Sequence, residues 1–395
     1  MKIAFITRTC NKKGGISRCV AELAEIFSHT HEVHIFANSW QDISSDKIIF
    51  HKVPMLKGNF FLQRKKAGLA TILQVYSFVL MSKLKIRPSN FDIVHSYGDC
   101  FIPFDVYTSQ SSHKTAVRVA RNSGWGTYNY LKNTILNPLN LIVFLIEKFS
   151  YQRRGSKKNV IIISPTEWIK REIIADYKTP EENIIVIPNG VDINEFNPKN
   201  REEFRDEVRK ELNIKKDDLV LIFIAYEFKR KGLKYIIEAL PLIKSERVKL
   251  IVIGRDKIKP YVFLSEKLKV AHQIIFLQPT PLKRYYAASD IFVFPTLYEA
   301  FSLATLEAIA SGLPIVATKV SGTEELIEDG YNGFFIQRDA LDIAQKISFF
   351  LENEHCIKQM GENARRTAEG YSWEKVARQT EEIYKKIHLL KSESV

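Results

Sequence analysis

The feature that most constrains this chain is a series of short, almost wholly apolar runs, many of them followed by a segment of helical period. The runs are Lys2–Ile6, Glu32–Phe36, Phe91–His95, Val160–Ile163, Ile184–Ile187, Leu219–Ile224, Lys249–Ile253, Gln273–Phe276, Ile291–Phe294 and Pro314–Ala317. Ser17–Phe27, Leu233–Leu240, Lys283–Ala288 and Ala304–Ala310 repeat apolar residues at helical spacing. A strand that is apolar on both faces leaves no face for water, so the pattern predicts parallel sheets covered by helices on both sides. Two such series, each of roughly 150 to 190 residues, predict an α/β architecture of two doubly wound, Rossmann-like domains rather than one barrel. The break is expected at Ile187–Val191, where Pro188 and Asn189-Gly190 impose a turn. The charge balance changes at the same place. Ligands of such sheets bind outside the carboxyl ends of the strands, so the expected site is a cleft between the two domains.

Composition excludes several classes. With 395 residues, 45% hydrophobic and 26% charged, the chain has enough apolar residues for a large core and reads as neither disordered nor collagen-like. Cys10, Cys19, Cys100 and Cys356 are scattered without a CxxC pair, which argues against a zinc knuckle or a disulfide framework. The apolar start Ile3–Ile6 is too short for a signal peptide and reads as a strand. The weakly polar stretch from Ala67 to Ser82 falls short of the roughly 20 residues that span a bilayer. The expectation is a cytoplasmic protein without a transmembrane helix.

The net charge of +13 is concentrated in the first half. Residues 1–190 hold 26 Lys and Arg against 14 Asp and Glu, whereas residues 191–395 hold 32 against 31. No acid lies between Asp46 and Asp92, a window containing Lys47, Lys52, Lys57, Arg64, Lys65, Lys66, Lys83, Lys85 and Arg87. Farther on, the apolar Leu139–Phe149 runs into Lys148, Arg153, Arg154, Lys157 and Lys158. Apolar segments bordered by cations suit an anionic membrane surface, and segments 57–87 and 139–158 are the expected contacts. Ordinary core helices beside a solvated basic face would read the same way. Nucleic acid is the competing polyanion, but no recognised binding motif accompanies the charge, and none is expected as a partner.

Chemistry concentrates in Asp290-Ile-Phe-Val-Phe-Pro295-Thr-Leu-Tyr-Glu299-Ala-Phe-Ser302-Leu-Ala-Thr-Leu-Glu307-Ala-Ile-Ala-Ser-Gly312-Leu-Pro314. A strand ending near Pro295 leads to a helix capped by Ser302 and stopped at Gly312. The amides of Phe301, Ser302, Leu303 and Ala304 then form a positive end suited to a phosphate. Acids beside an anion site make sense if the ligand also offers hydroxyl groups, as a nucleotide-sugar does. Two glutamates on the surface of an amphipathic helix is the plainer alternative for the pair alone.

Glu299 and Glu307, separated by seven residues across a helix start, resemble the signature of the retaining glycosyltransferases of family 4, which have the GT-B fold. The family pattern is usually richer in glycine and proline than Ala300, Ser302 and Ala304 allow. Other features occur in family order. The run Phe228-Lys229-Arg230-Lys231-Gly232 is similar to the lipopolysaccharide-core glucosyltransferase-like subgroup, although Tyr226 stands where the family has an arginine. Gly254-Arg255-Asp256-Lys257 resembles the same subgroup. Gly14-Gly15 resembles a family glycine pair, His113 matches the place of a family histidine, and Tyr371-Ser372-Trp373 precedes what looks like the family's returning C-terminal helix.

The resemblance implies domains 1–188, with a returning helix over 374–395, and 189–373. It also implies roles for individual residues. Arg230 and Lys231 would clamp the donor diphosphate, Glu299 would orient the transferred sugar, Glu307 would hold the ribose, and His113 would lie near the reacting carbon. Gly14, Gly15, Gly254, Arg255, Gln278, Phe301, Ser302 and Leu303 would line the donor. A nucleotide-diphosphate sugar, a UDP-hexose by subgroup, would be the co-substrate, with no metal or other cofactor. The acceptor would be a glycan or glycolipid at the cytoplasmic membrane face, as in cell-surface polysaccharide synthesis. The competing readings are a non-catalytic polyanion-binding protein on the same scaffold, and a phosphorylase or epimerase.

Overall fold

The computed structural model describes residues 1–56, 67–98, 100–122, 138–152, 160–279 and 281–393. The chain divides into two compact units, Met1–Asn189 with Trp373–Val395, and Gly190–Ser372.

The first unit is built on a seven-stranded parallel sheet. Its chain runs β1 (Lys2–Ile6), β2 (Thr9–Cys10), α1 (Gly15–Phe27), β3 (Glu32–Ala37), β4 (Ser39–Trp40), β5 (Ile49–Lys52) and α2 (Ala67–Lys85). It continues through β6 (Ile93–Ser96), β7 (Val106–Thr108), α3 (His113–Asn122), α4 (Pro138–Tyr151), β8 (Ile161–Ser164), α5 (Glu167–Tyr177) and β9 (Ile184–Val186). The sheet order is β5-β3-β1-β6-β7-β8-β9, and β2 and β4 form a separate two-stranded pair. Chain direction reverses between β1 and β6, which makes the carboxyl ends there a natural ligand position. The strands β5 and β7 were absent from the apolar series. Each has only three or four residues, and β5 is half exposed at the sheet edge, so neither shows the continuous apolar run of a central strand.

The second unit runs α6 (Asn200–Glu211), β10 (Leu219–Ile224), α7 (Phe228–Lys231), α8 (Leu233–Ile243), β11 (Val248–Ile253), α9 (Lys259–Lys267), β12 (Ile274–Leu277) and α10 (Leu282–Ala288). It ends with β13 (Ile291–Phe294), α11 (Leu303–Ala310), β14 (Ile315–Thr318), α12 (Ser321–Glu324), β15 (Gly333–Ile336), α13 (Ala340–Glu352) and α14 (His355–Glu369). The sheet order is β12-β11-β10-β13-β14-β15, parallel throughout. The strands β10 and β13 are fully covered: Val220, Leu221, Ile222, Phe223, Phe292 and Val293 are inaccessible to solvent. That is why their sequences lack polar alternation.

The last helix, α15 (Trp373–Ser392), packs in the first unit, where Trp373, Val376, Ala377, Ile383 and Tyr384 share a core with Phe5 and Phe27. One contact there is polar. His95 in β6 is fully buried, with Nδ1 2.5 Å from the Tyr384 hydroxyl and Nε2 2.7 Å from the Thr108 hydroxyl. Burial pushes its pKa from 6.5 down to about 3, so the ring is neutral in the fold. All four cysteines are free thiols. Among the described residues no helix is long and apolar enough to cross a membrane.

Held neutral, His95 binds fewer protons in the folded than in the unfolded state between pH 6.5 and about 3, so its contribution to stability is present above that window and lost as pH falls through it. The expected outcome for His95→Gln is a flatter fall of the urea midpoint over that range than in the parent protein. An unchanged slope would remove His95 as a source of acid sensitivity.

Candidate functional site

In the second sheet the chain leaves β10 toward β11 and leaves β13 toward β14, so the loops after these two central strands diverge and leave a crevice at their carboxyl ends. Lys231 comes from the first of these loops and Glu299 from the second.

The first loop becomes the single-turn helix α7. The Asp256 carboxylate accepts the Phe228 N–H at its start (2.8 Å). It stops at Gly232, whose φ of +87° lies in the left-handed region. A Cβ at Gly232 would come within 2.2 Å of the Pro295 carbonyl, so glycine also lets the two loops touch. The Lys231 side chain is only 10% exposed, and its ammonium ion-pairs with Glu299 and lies 4.9 Å from the Phe294 ring centroid. Burial, reinforced by the adjacent Arg230, pushes the Lys231 pKa well down, and the Glu227 carboxylate opposes the shift.

Arg230 lies beside this pair. Its guanidinium donates to Glu227 (2.8 Å) and to the Tyr298 carbonyl (2.5 Å), and its own carbonyl accepts the Leu297 N–H (3.0 Å). It therefore ties α7 to the Glu299 loop. From the other side, the Gly322 N–H donates to the Glu299 carbonyl (3.0 Å). Ser302 caps α11 by accepting the Thr305 N–H (3.1 Å). The main-chain N–H groups of Phe301, Ser302, Leu303 and Ala304 make no hydrogen bond among the described residues. They form the positive end of the α11 dipole. Phe301 turns its ring into the core against Tyr371. Glu307, in the second turn of α11, is buried and accepts the Tyr286 hydroxyl (3.1 Å).

The remaining sequence candidates fall elsewhere. Gly254 ends β11, but a Cβ there would meet the Ala225 carbonyl at 2.0 Å and the Phe228 ring at 2.5 Å. The protein's own packing therefore requires a glycine at this position. Arg255 beside it and Gln278 after the edge strand β12 are exposed, and neither hydrogen-bonds to the Lys231–Glu299 group.

In the first unit, Gly14 is the N-cap of α1 and Gly15 its first residue. The Gly14 φ of −114° needs no glycine, and nothing lies within 4 Å of a Cβ placed on Gly15. His113 opens α3, and its N–H donates to the buried carboxylate of Glu147 (2.8 Å), which also accepts the Tyr177 hydroxyl. Burial raises the Glu147 pKa to about 7 despite these donors. Glu147 was not singled out from sequence, although a lone acid inside the apolar stretch 139–149 was a usable signal.

Arg338, just after β15, was also missed. Its guanidinium donates to the carbonyls of Pro295 (2.9 Å), Lys229 (2.8 Å) and Arg230 (3.1 Å) and lies 4.8 Å from the Tyr235 ring centroid. One planar group thus satisfies the last carbonyls of α7 and the end of β13 together. No local pattern marks such a residue, because its partners are main-chain atoms more than 40 positions away.

A family model described as "Glycosyltransferase Family 4" matches residues 13–195, and one described as "Glycosyl transferases group 1" matches residues 204–367. The chain belongs to these glycosyltransferases and has the GT-B architecture of two Rossmann-like parallel sheets. It is 29% identical over 231 residues to an uncharacterized glycosyltransferase of Methanocaldococcus jannaschii, covering 57% of this chain and 59% of that protein. It is 29% identical over 237 residues to a D-inositol 3-phosphate glycosyltransferase of Corynebacterium aurimucosum, covering 57% and 56%. The matches thus span under two thirds of either relative. Among solved structures, WaaG, a glycosyltransferase involved in lipopolysaccharide biosynthesis, superposes with a TM-score of 0.79 at 21% identity, over 97% of this chain and 99% of that one. A sucrose-phosphate synthase from Thermosynechococcus elongatus gives 0.75 at 18% identity, over 98% and 99%.

Arg338→Ala should loosen the two loops without dismantling the sheet. Amide hydrogen exchange of the 295–300 segment is expected to speed up by about tenfold, the equivalent of one lost charged hydrogen bond of roughly 1.4 kcal/mol. Unchanged protection in that segment would show that Arg338 does not hold it.

Proposed function

We propose that this protein is a retaining hexosyltransferase that uses a nucleotide-diphosphate sugar of the UDP-glucose kind and acts on a glycan or glycolipid acceptor at a membrane face. The observation that carries the reading is the placement of Lys231, Glu299 and the unpaired amides of residues 301–304 at the reversal point of the second sheet. A cation and helix-terminal N–H groups suit a diphosphate, and a carboxylate beside them suits sugar hydroxyls. The related GT-B structure of Anabaena HepE, solved with UDP and glucose, supports a donor of that class.

In the proposed reaction the bond between the sugar's anomeric carbon and the diphosphate oxygen breaks, and the electron pair leaves with the diphosphate. Lys231 and the α11 amides stabilise the charge that develops there. The acceptor hydroxyl oxygen bonds to the anomeric carbon on the same face, and its proton passes to the departing phosphate. Without donor, Lys231 and Glu299 neutralise each other; with donor, Lys231 gains an anionic partner and Glu299 gains hydroxyl donors. Glu307 holds the ribose, and Arg230 adds charge and fixes the Glu299 loop. We assign the charge stabilisation to these protein groups without a metal ion.

Membrane contact is proposed for the first unit. Leu73, Tyr76, Leu80 and Leu84 form one exposed stripe along α2, spaced three and four residues apart. The opposite face of α2 presents Val75 and Val79 to Ile142 and Ile146 of α4, and α4 in turn exposes Leu141 and Leu145. Lys83, Lys85, Arg87 and Lys148 are exposed beside this apolar surface. An apolar face rimmed by cations matches an anionic bilayer. The other cations of the two expected segments, at 57–66 and 153–158, lie outside the described residues.

Lys231→Met should lower kcat by about a hundredfold or more. It also strands Glu299, so some loss of stability is expected; Lys231→Met/Glu299→Gln should recover the stability but not the turnover. Near-parental turnover of UDP-glucose by the double variant would end the assignment. For the membrane, Leu80→Glu/Leu84→Glu should abolish co-sedimentation with phosphatidylserine vesicles while leaving the thermal midpoint unchanged. If the parent protein stays in the supernatant even at low salt, the docking face is refuted.

A further inference from the structure

The second unit contains a cavity of about 760 Å³, within the usual range for small-molecule sites, at the end of its sheet away from Lys231. Leu219, the first residue of β10, and Asp290, just before β13, form its floor, so it opens at the amino ends of the strands whose carboxyl ends carry the site above. The helices α6 and α14 provide its walls.

Its charge is unbalanced. The Asp290 carboxylate accepts Arg205 (2.6 Å) and Arg209 (2.7 Å), and Arg201 lies 3.9 Å away. Three guanidinium groups therefore converge on a single carboxylate. Their other hydrogen bonds among the described residues go to main-chain carbonyls: Arg201 to Ser289 (2.7 Å), Arg205 to residues 287–289, and Arg209 to Ala288 and to residues 215, 216 and 218. Carbonyls satisfy N–H groups but supply no negative charge. Burial and the neighbouring Arg205 lower the Arg201 pKa to about 10, as expected for cations short of counter-charge.

The facing wall adds to the excess. Arg366 donates to the neutral side chain of Asn363 (3.0 Å), and neither Lys358 nor Lys216 has an ion pair among the described residues. Of the acids at the rim, Glu354 is taken by Arg247 (2.8 Å) and the Asp218 carboxylate by the Lys215 N–H (2.8 Å), while Asp217 and Glu362 are exposed. In all, seven cationic side chains line the cavity against five acidic ones. We infer that this cavity is an anion site for a small phosphorylated ligand, either a sugar phosphate or inorganic phosphate, held by Arg201, Arg205, Lys358 and Arg366 and separate from the Lys231 site. The helix α11 runs between the two regions: its Ser302 end lies at the first, and its Ala310 carbonyl accepts Arg365, a lining residue of the second (2.9 Å).

The test is calorimetric titration of the full chain with inorganic phosphate and, separately, with a hexose bisphosphate, at about 150 mM salt to suppress diffuse binding. Saturable binding is expected that Arg201→Gln and Lys358→Gln each weaken by about tenfold or more and that Lys231→Met/Glu299→Gln leaves unchanged. Tighter binding of the hexose bisphosphate would assign an organic phosphate, and tighter binding of inorganic phosphate an inorganic one. If Arg201→Gln fails to fold, Lys358→Gln, an exposed change on α14, decides. The inference is overturned if neither probe binds saturably, if Lys358→Gln leaves both affinities as they were, or if binding disappears only in the Lys231→Met/Glu299→Gln variant. That last outcome would leave the transferase reading standing while removing the second site.

Discussion

A lysine and a glutamate almost fully withdrawn from water are the constraint around which the second unit is arranged. Removing two charges from solvent costs several kcal/mol per ion, and the mutual attraction repays this only when geometry and surrounding hydrogen bonds are good. Here the surroundings are built to that end. Gly232 lets the two loops touch, Arg230 and Arg338 fasten their main chains, and Gly322 holds the Glu299 carbonyl. So many positioning bonds around a pair that contributes little to stability by itself fit a role in binding and chemistry, with each charge held ready for a ligand group.

The topology explains why the pair forms where it does. A sheet in which β10 and β13 are adjacent but lead their connections in opposite directions must open at their carboxyl ends. An eight-residue helix starting just beyond β13 then adds its dipole to the same spot. At the opposite ends of the same strands, arginines of α6 converge on Asp290, so one sheet holds two charged regions, at the carboxyl and the amino ends of its central strands. The first unit has a different emphasis: a parallel sheet of similar kind, with its surplus cations and exposed leucines gathered on α2 and α4.

Much of the fold was legible in the chain. Strands β1, β10 and β13 begin and end where their apolar runs do, because strands covered on both faces must be apolar throughout. The edge strand β5 and the short β7 were not legible, since an edge is half solvated and three residues carry no period. At the site, the Ser302 cap and the acid just before it were readable from local rules, whereas Lys231 was singled out through the resemblance of Phe228–Gly232 to the family. Arg338 and Glu147 were not, because their partners are distant in sequence. The packing demand on Gly254 was not readable for the same reason; the atoms that impose it, the Ala225 carbonyl and the Phe228 ring, come from another strand's loop.

Hydrophobic period and turn chemistry act between near neighbours, so the sequence alone settled the α/β character, the parallel strands and the helix that begins at Ser302. Which groups meet is a matter of long-range packing. Only the folded chain joined Lys231 to Glu299 across 68 positions, set Arg338 under both loops and turned three arginines toward Asp290. Those contacts depend on strand order, and strand order is selected by the burial of the whole sheet rather than by any segment of it.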